Sequence, residues 1–310
     1  MLLAKPLLDR GRSPRLHPRA LRPARVQPCP IPFPDSDTRP MDDPNKTHSS
    51  SLPSAGAVPA LRGLWDLIRT ILIAGLLAVG VRTVLFEPFN IPSGSMIPTL
   101  QVGDYLWVAK YSYGYSHFSL PRSPDLFDGR IFGSLPHRGD VAVFRFTRDT
   151  SIDYIKRIVG LPGDRVQVRG GELYINDTLV PREARGNYVA VDEHRTRMEG
   201  QRYSESLPGS GGRPPVTHDI LKLTNEGFQN DTPVYVVPSG YFFAMGDNRD
   251  DSADSRFMGD DPEDLGFVPM ENLIGQAKWI FLSIDARYPA WEFWMWPVEI
   301  RWDRLFQGVR

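Results

Sequence analysis

Three short stretches carry side chains of a kind that does covalent chemistry. The first is Pro92-Ser93-Gly94-Ser95-Met96-Ile97-Pro98-Thr99-Leu100. Gly94 lets the backbone turn where a side chain would clash, and the prolines hold the flanks extended. Such a turn presents one hydroxyl in a fixed direction; it is also what an ordinary Ser/Gly/Pro loop looks like. A serine nucleophile needs exposure, a base and oxyanion donors. The six histidines (17, 48, 117, 137, 194 and 218) all lie in polar or proline-rich surroundings, and none sits in a segment built to hold it. The second stretch offers a different base. Lys156 lies among Tyr154, Ile155, Ile158 and Val159 in Asp153–Asp164, an apolar strand with a lysine on it. Burial would depress its pKa, and only neutral lysine accepts a proton. An unshifted lysine is neutral in well under about 1% of molecules at neutral pH, so the role requires a shift of several pKa units. The periodicity fits equally a lysine guarding an edge strand against aggregation.

The third stretch is Gly246-Asp247-Asn248-Arg249-Asp250-Asp251-Ser252-Ala253-Asp254-Ser255-Arg256. Four aspartates invite a calcium reading, but Arg249 occupies a ligand position and the twelfth residue, Met258, has no carboxylate. No metal or other cofactor is expected. The composition fits a hydrogen-bonded brace, with Asp254 and Arg256 paired across it, or a solvated acidic loop.

These stretches need a scaffold, and the rest of the chain supplies one. From Leu64 to Phe86 the sequence turns apolar, with charges only near its ends at Asp66, Arg69 and Arg82. This reads as a single transmembrane helix whose arginines snorkel; a buried helix of a soluble domain or a cleaved signal peptide has the same composition. Lys46 and Arg62 precede the segment and residues 87–107 contain neither Lys nor Arg, which puts the N-terminus in the cytoplasm. Beyond it come short β-rich runs bounded by Gly, Pro or Asp: Tyr105–Ala109, Asp140–Phe146, Arg165–Val168, Glu172–Ile175, Val234–Val237 and Tyr241–Met245. No helical segment alternates with them, so the fold class is mainly β, an antiparallel-sheet domain over 87–290. Residues 182–232, polar and Gly/Pro-rich around Pro208–Pro215, read as an insertion with mobile loops. Residues 1–60, rich in Pro, Ser and Arg, read as disordered, and 1–40 fit a mis-annotated start upstream of Met41. The segment 291–310 opens with Trp291, Phe293, Trp294 and Trp296, which suits either a membrane interface or a last packed strand.

Composition sets the outer bounds. The 310 residues are 41% hydrophobic and 24% charged, enough for a real core. A net charge of −1 excludes a nucleic-acid binder that lives on phosphate contacts. The single cysteine, Cys29, excludes a disulfide framework and a Cys-rich zinc site.

Taken together, in this order after an N-terminal anchor, the three stretches resemble bacterial type I signal peptidase, a membrane-bound Ser/Lys protease. The likeness runs from about Trp65 to Asp285 and is carried by Phe86–Met96, Arg138-Gly139-Asp140-Val141, Tyr154–Asp164 and Gly246–Arg256. It implies a signal-peptidase-like catalytic domain with Ser95 as nucleophile and Lys156 as general base. It further implies that Ser93 helps bind the oxyanion, that Ser252 orients the lysine, and that Asp254 and Arg256 brace the site. The implied substrate walls are Phe89, Ile91, Met96, Leu100, Leu106, Asp153, Tyr154 and Ile155. Apolar walls suit the small −1 and −3 residues of an Ala-x-Ala export signal. The partners implied are signal-peptide-bearing preproteins and membrane lipid, and the place a bacterial inner membrane, with the catalytic domain periplasmic. Asp251 stands where the family often has an amide. Two rivals share features: a self-cleaving Ser/Lys repressor-type protease, and a non-enzymatic membrane-tethered domain that binds peptides.

Overall fold

The computed structural model describes residues 58–120, 123, 127–285 and 293–310. Helix α1 (Val58–Val84) contains a 22-residue apolar span, Gly63–Val84, about 33 Å at helical rise and so long enough for a bilayer. Among the described residues only the end of that span is touched, where Tyr115 Oη donates to the Val84 carbonyl at 2.7 Å; its leucines, isoleucines and valines are exposed. A helix apolar on every face fits an apolar solvent, by length and composition. Phe86, expected inside the helix, is instead the first residue of a strand, and Val58–Ala60, expected to be disordered, are helical. The remainder of the expectation for 1–60, Met41 start included, lies outside the described residues.

The strands follow as β1 (Phe86–Asn90), β2 (Asp104–Ala109), β3 (Val141–Arg145), β4 (Asp153–Gly160), β5 (Arg165–Arg169), β6 (Glu172–Ile175) and β7 (Thr178–Leu179). Then come β8 (Arg182–Val191), β9 (Arg197–Leu207), β10 (Val216–Lys222), β11 (Tyr235–Val236), β12 (Tyr241–Met245), β13 (Val268–Pro269) and β14 (Leu273–Ser283). A short helix, α2 (Trp296–Glu299), lies near the C-terminus. The main sheet has seven antiparallel strands in the order β1-β2-β14-β3-β4-β12-β13. The mainly β, antiparallel expectation holds. Strand alternation divides its residues: along β2, Leu106 and Val108 face the core while Tyr105 and Trp107 face outward. One core cluster, including Ile91, Met96, Leu100, Leu106, Val141 and Ile280, lies under the serine turn. A four-stranded sheet, β11-β5-β6-β7, packs through Val166 and Leu173 against Val159 and Phe243.

In place of mobile loops, residues 182–222 form a three-stranded antiparallel sheet, β10-β9-β8, with the Gly/Pro-rich stretch as its β9–β10 connection. Its strands are polar along most of their length, and the apolar face is small: Ala190 and Leu221 with Tyr188, Met198 and Leu223 around Ile97. That face grips the residue two positions after Ser95.

Candidate active site

The serine turn is held from both sides. Met96 and Leu100 sink into the core below, and the Leu100 N–H donates to the Met96 carbonyl at 2.9 Å. From the third stretch, the Asn248 backbone N–H donates to the Ser95 carbonyl at 3.1 Å and its side-chain amide donates to the Gly94 carbonyl at 3.2 Å. From the β8–β9 turn, Glu193 accepts the Gly94 N–H at 3.0 Å. The serine turn is thereby fixed by backbone contacts on three consecutive peptide units, the kind of preorganisation an attacking group would need.

Lys156 sits on β4 opposite Ala142 of β3, and its ammonium donates to Ser95 Oγ at 2.6 Å. Both residues are buried. Burial lowers the Lys156 pKa from 10.5 to about 8, against the opposing pull of Asp254 and Asp247. A lysine in that range is neutral in a useful fraction of molecules near neutral pH. Ser93 Oγ lies 3.5 Å from Ser95 Oγ. Asp254 binds the Arg256 guanidinium through both oxygens, at 2.8 Å each, and accepts the Gly246 N–H at 2.9 Å. Burial alone would raise the Asp254 carboxyl, but Arg256 and the backbone N–H groups hold it below its ordinary value. Gly246 is then the point of closest approach: a Cβ there would stand 2.2 Å from Ser252 Oγ and 2.5 Å from the Ser95 carbonyl.

A cleft of about 520 Å³ opens on this pair. Its two walls, Phe89–Ser95 and Ile152–Lys156, converge on Ser95 and Lys156, and Val143, Glu193 and Asp251–Ala253 complete the lining. Of the implied walls, Phe89, Ile91, Asp153, Tyr154 and Ile155 line the cleft. Met96, Leu100 and Leu106 do not; they are fully buried in the core beneath it and anchor the turn instead. Asp153 stands at the mouth, paired with Arg145 at 3.0 Å. Ser252 lines the cleft, yet its hydroxyl has no hydrogen-bond partner among the described residues, so the lysine-orienting contact is not made. Glu193 was missed, because it lies in the stretch read as mobile loops. Its only signal in the sequence is its place in the polar turn between two runs, Asp192–Thr196.

The model of the family described as "Signal peptidase, peptidase S26" matches residues 64–282. The chain belongs to that family. It is thus a peptidase, a hydrolase, and the match takes in most of α1 and all three chemical stretches. Signal peptidase I of Rickettsia typhi (strain ATCC VR-144 / Wilmington) is 41% identical over a 250-residue alignment that covers 75% of this chain and 89% of the relative. That of Rickettsia conorii (strain ATCC VR-613 / Malish 7) is also 41% identical over a 250-residue alignment, which covers 75% of this chain and 88% of its own. A solved signal peptidase I from Enterococcus faecalis V583 is 24% identical and covers 46% of this chain and 97% of its own, with a TM-score of 0.26, too low to bear on the fold.

Proposed function

We infer that this signal peptidase family member is a membrane-anchored serine endopeptidase that removes N-terminal signal peptides from exported preproteins after an Ala-x-Ala-type site. The observation that carries the reading is Lys156 Nζ at 2.6 Å from Ser95 Oγ, with the lysine pKa brought to about 8, at the end of a partly apolar cleft. Lys156 takes the Ser95 proton and Ser95 attacks the scissile carbonyl. The Ser93 hydroxyl and the Ser95 backbone N–H receive the oxyanion, and Lys156 returns the proton to the leaving amine. Water activated by the same lysine then resolves the acyl-enzyme. The register suggests how substrate is held. β12 pairs with β4 only at Arg157, Ile158 and Gly160, so among the described strands Asp153–Lys156 pairs with β3 alone. The open side offers a template for an extended peptide, with side chains directed alternately at the apolar walls.

The anchor confines the site to the membrane surface, where the substrate's own apolar segment is also held, and this raises effective concentration with no new contact at the site. The charge bias puts the N-terminus in the cytoplasm and the catalytic domain on the far side of a bacterial inner membrane. Exposed Trp294, Trp302 and Phe306 of the C-terminal segment fit contact with the lipid interface. Cleavage of a purified preprotein with an Ala-x-Ala site, in detergent and with the product N-terminus sequenced, tests the reading. Wild type cleaves after the second Ala; Ser95→Ala and Lys156→Ala do not. Equal cleavage by all three sinks the assignment of both residues.

A further inference from the structure

A second groove, of about 490 Å³, starts where the catalytic cleft ends. The two share Glu193, the residue that accepts the Gly94 N–H beside the nucleophile. One wall of the groove is the last half of β8, Tyr188–Val191, continuing into Asp192, Glu193 and Arg195; the other is Gln101–Gly103 with Ile284 and Asp285, and at the two ends Gln101 donates to Tyr188 Oη at 3.4 Å and Arg195 to the Asp285 carbonyl at 3.5 Å. The second wall is rigid. Arg301 donates to Gln101 Oε1 at 2.9 Å and to the Val102 carbonyl at 2.7 Å. Gly103, at φ +89°, lies so near the Ile284 carbonyl that a Cβ would come within 2.0 Å of it.

The first wall is an unpaired strand edge. In the order β10-β9-β8, β8 pairs with β9 alone among the described residues. Natural edge strands are guarded by charge or proline, and the first half of β8 follows that rule with Arg182, Glu183 and Arg185. The half along the groove does not. It reads Tyr188-Val189-Ala190-Val191, with Val189 46% and Val191 53% exposed. An unguarded edge of free backbone donors and acceptors, facing a rigid wall, is the form of a site that takes an extended peptide as an added strand.

We propose that this groove binds the first residues of the mature protein, on the leaving side of the scissile bond, as a strand along β8. This rests on the proposed function, and direction follows from it. The residues before the scissile bond occupy the walls Phe89–Ser95 and Ile152–Lys156, which run toward the nucleophile. An extended chain continuing past Ser95 meets Glu193 and enters the second groove. The edge from Tyr188 to Asp192 spans about five residues, roughly 16 Å at strand rise, so the groove holds about that many residues of the mature chain.

The test uses the full chain in detergent and matched peptides identical up to the scissile Ala, with one or six residues beyond it. A third set carries N-methyl groups, one at a time, along the six. For wild type, kcat/KM for the six-residue leaving side exceeds that for the single residue by about ten-fold or more, as two or three net backbone hydrogen bonds give. N-methylation costs activity at every second position. Val102→Trp, which fills the groove from the wall opposite β8, brings the long-to-short ratio toward one; a misfolded fraction would lower both rates and leave the ratio intact. A wild-type ratio near one, or a ratio that survives Val102→Trp, overturns the proposal. So does a concentration-dependent dimer that Val102→Trp abolishes while the ratio stays, since the groove would then belong to a second copy. Failure of wild type to cleave any peptide overturns the proposed function itself, and the groove's assignment with it.

Discussion

In the proposed mechanism Lys156 serves as a base only when neutral, and burial brings that form within reach at a cost in stability. Lowering its pKa from 10.5 to about 8 corresponds to about 3 kcal/mol that the folded state gives up while the group is charged. The sign follows from proton counts. Between pH 8 and 10.5 the unfolded chain binds the proton and the folded chain does not, so stability rises with pH across that window and the penalty is full below it. Two outcomes are expected. Cleavage rises with pH along a limb of apparent pKa about 8. Lys156→Met is inactive yet more stable at pH 7, by about 1–3 kcal/mol in denaturant melts, with the gain gone above pH 10.5. A variant no more stable than wild type at pH 7 would mean the lysine is not strained by burial. Ser95 and Lys156 were legible as residue types, but the burial that separates a base from an edge-guarding lysine was not. It comes from β3 on one side and the serine turn on the other, contacts made across 14 and 61 positions of sequence.

The elements that hold the pair differ in how openly they are written. Strands such as Tyr105–Ala109 and Tyr241–Met245 alternate or run apolar between breakers, and β2 and β12 form there. β8 and β9 carry Arg, Glu, Asn and Gln along most of their length, because one face is solvated and the other meets a small cluster around Ile97, the buried Arg249 and, at Leu207, the edge of the core. Without a period-2 signal, the polar composition reads as loop. The same blindness hid Glu193, which reaches the Gly94 N–H beside Ser95 only because the β8–β9 register places its turn there. The junction after β12 was legible as a brace, though not how tight it is. Gly246→Ala places a methyl against Ser252 and the Ser95 carbonyl, and one of them must move. A misplacement of about 1 Å costs on the order of 100-fold, so kcat/KM falls by at least that much while far-ultraviolet circular dichroism keeps the β signature. Near-wild-type cleavage by this variant would show the turn to be looser than its contacts indicate.

At the scale of the whole molecule, a buried charge network joins the three-stranded sheet to the catalytic one. Arg157, next to Lys156 on β4, binds both oxygens of Asp247 at 2.8 and 2.7 Å, and Arg249 binds both oxygens of Glu205 on β9. His218 of β10 lies between them, 3.6 Å from Glu205 and 3.7 Å from Asp247. Both carboxylates are already taken by arginines. Burial, then the charges of Arg157 and Arg249, hold the imidazole well below its ordinary 6.5. The folded state therefore refuses a proton that the unfolded chain accepts. His218 costs nothing above pH 6.5, and stability is lost as pH falls from 6.5 toward the depressed folded value, at about 1.4 kcal/mol per pH unit. Breaking the network also unseats the sheet that carries Glu193 and grips Ile97, so activity and stability fall together on acidification. His218→Leu removes the titrating group and leaves the two arginine–carboxylate pairs in place. Thermal unfolding of the full chain in detergent at pH 7.5, 6.5 and 5.5 should show a shallower fall in Tm for this variant than for wild type below pH 6.5. Equal slopes would mean that His218 already accepts a proton in the folded state, and that Glu205 and Asp247 keep capacity to spare for it.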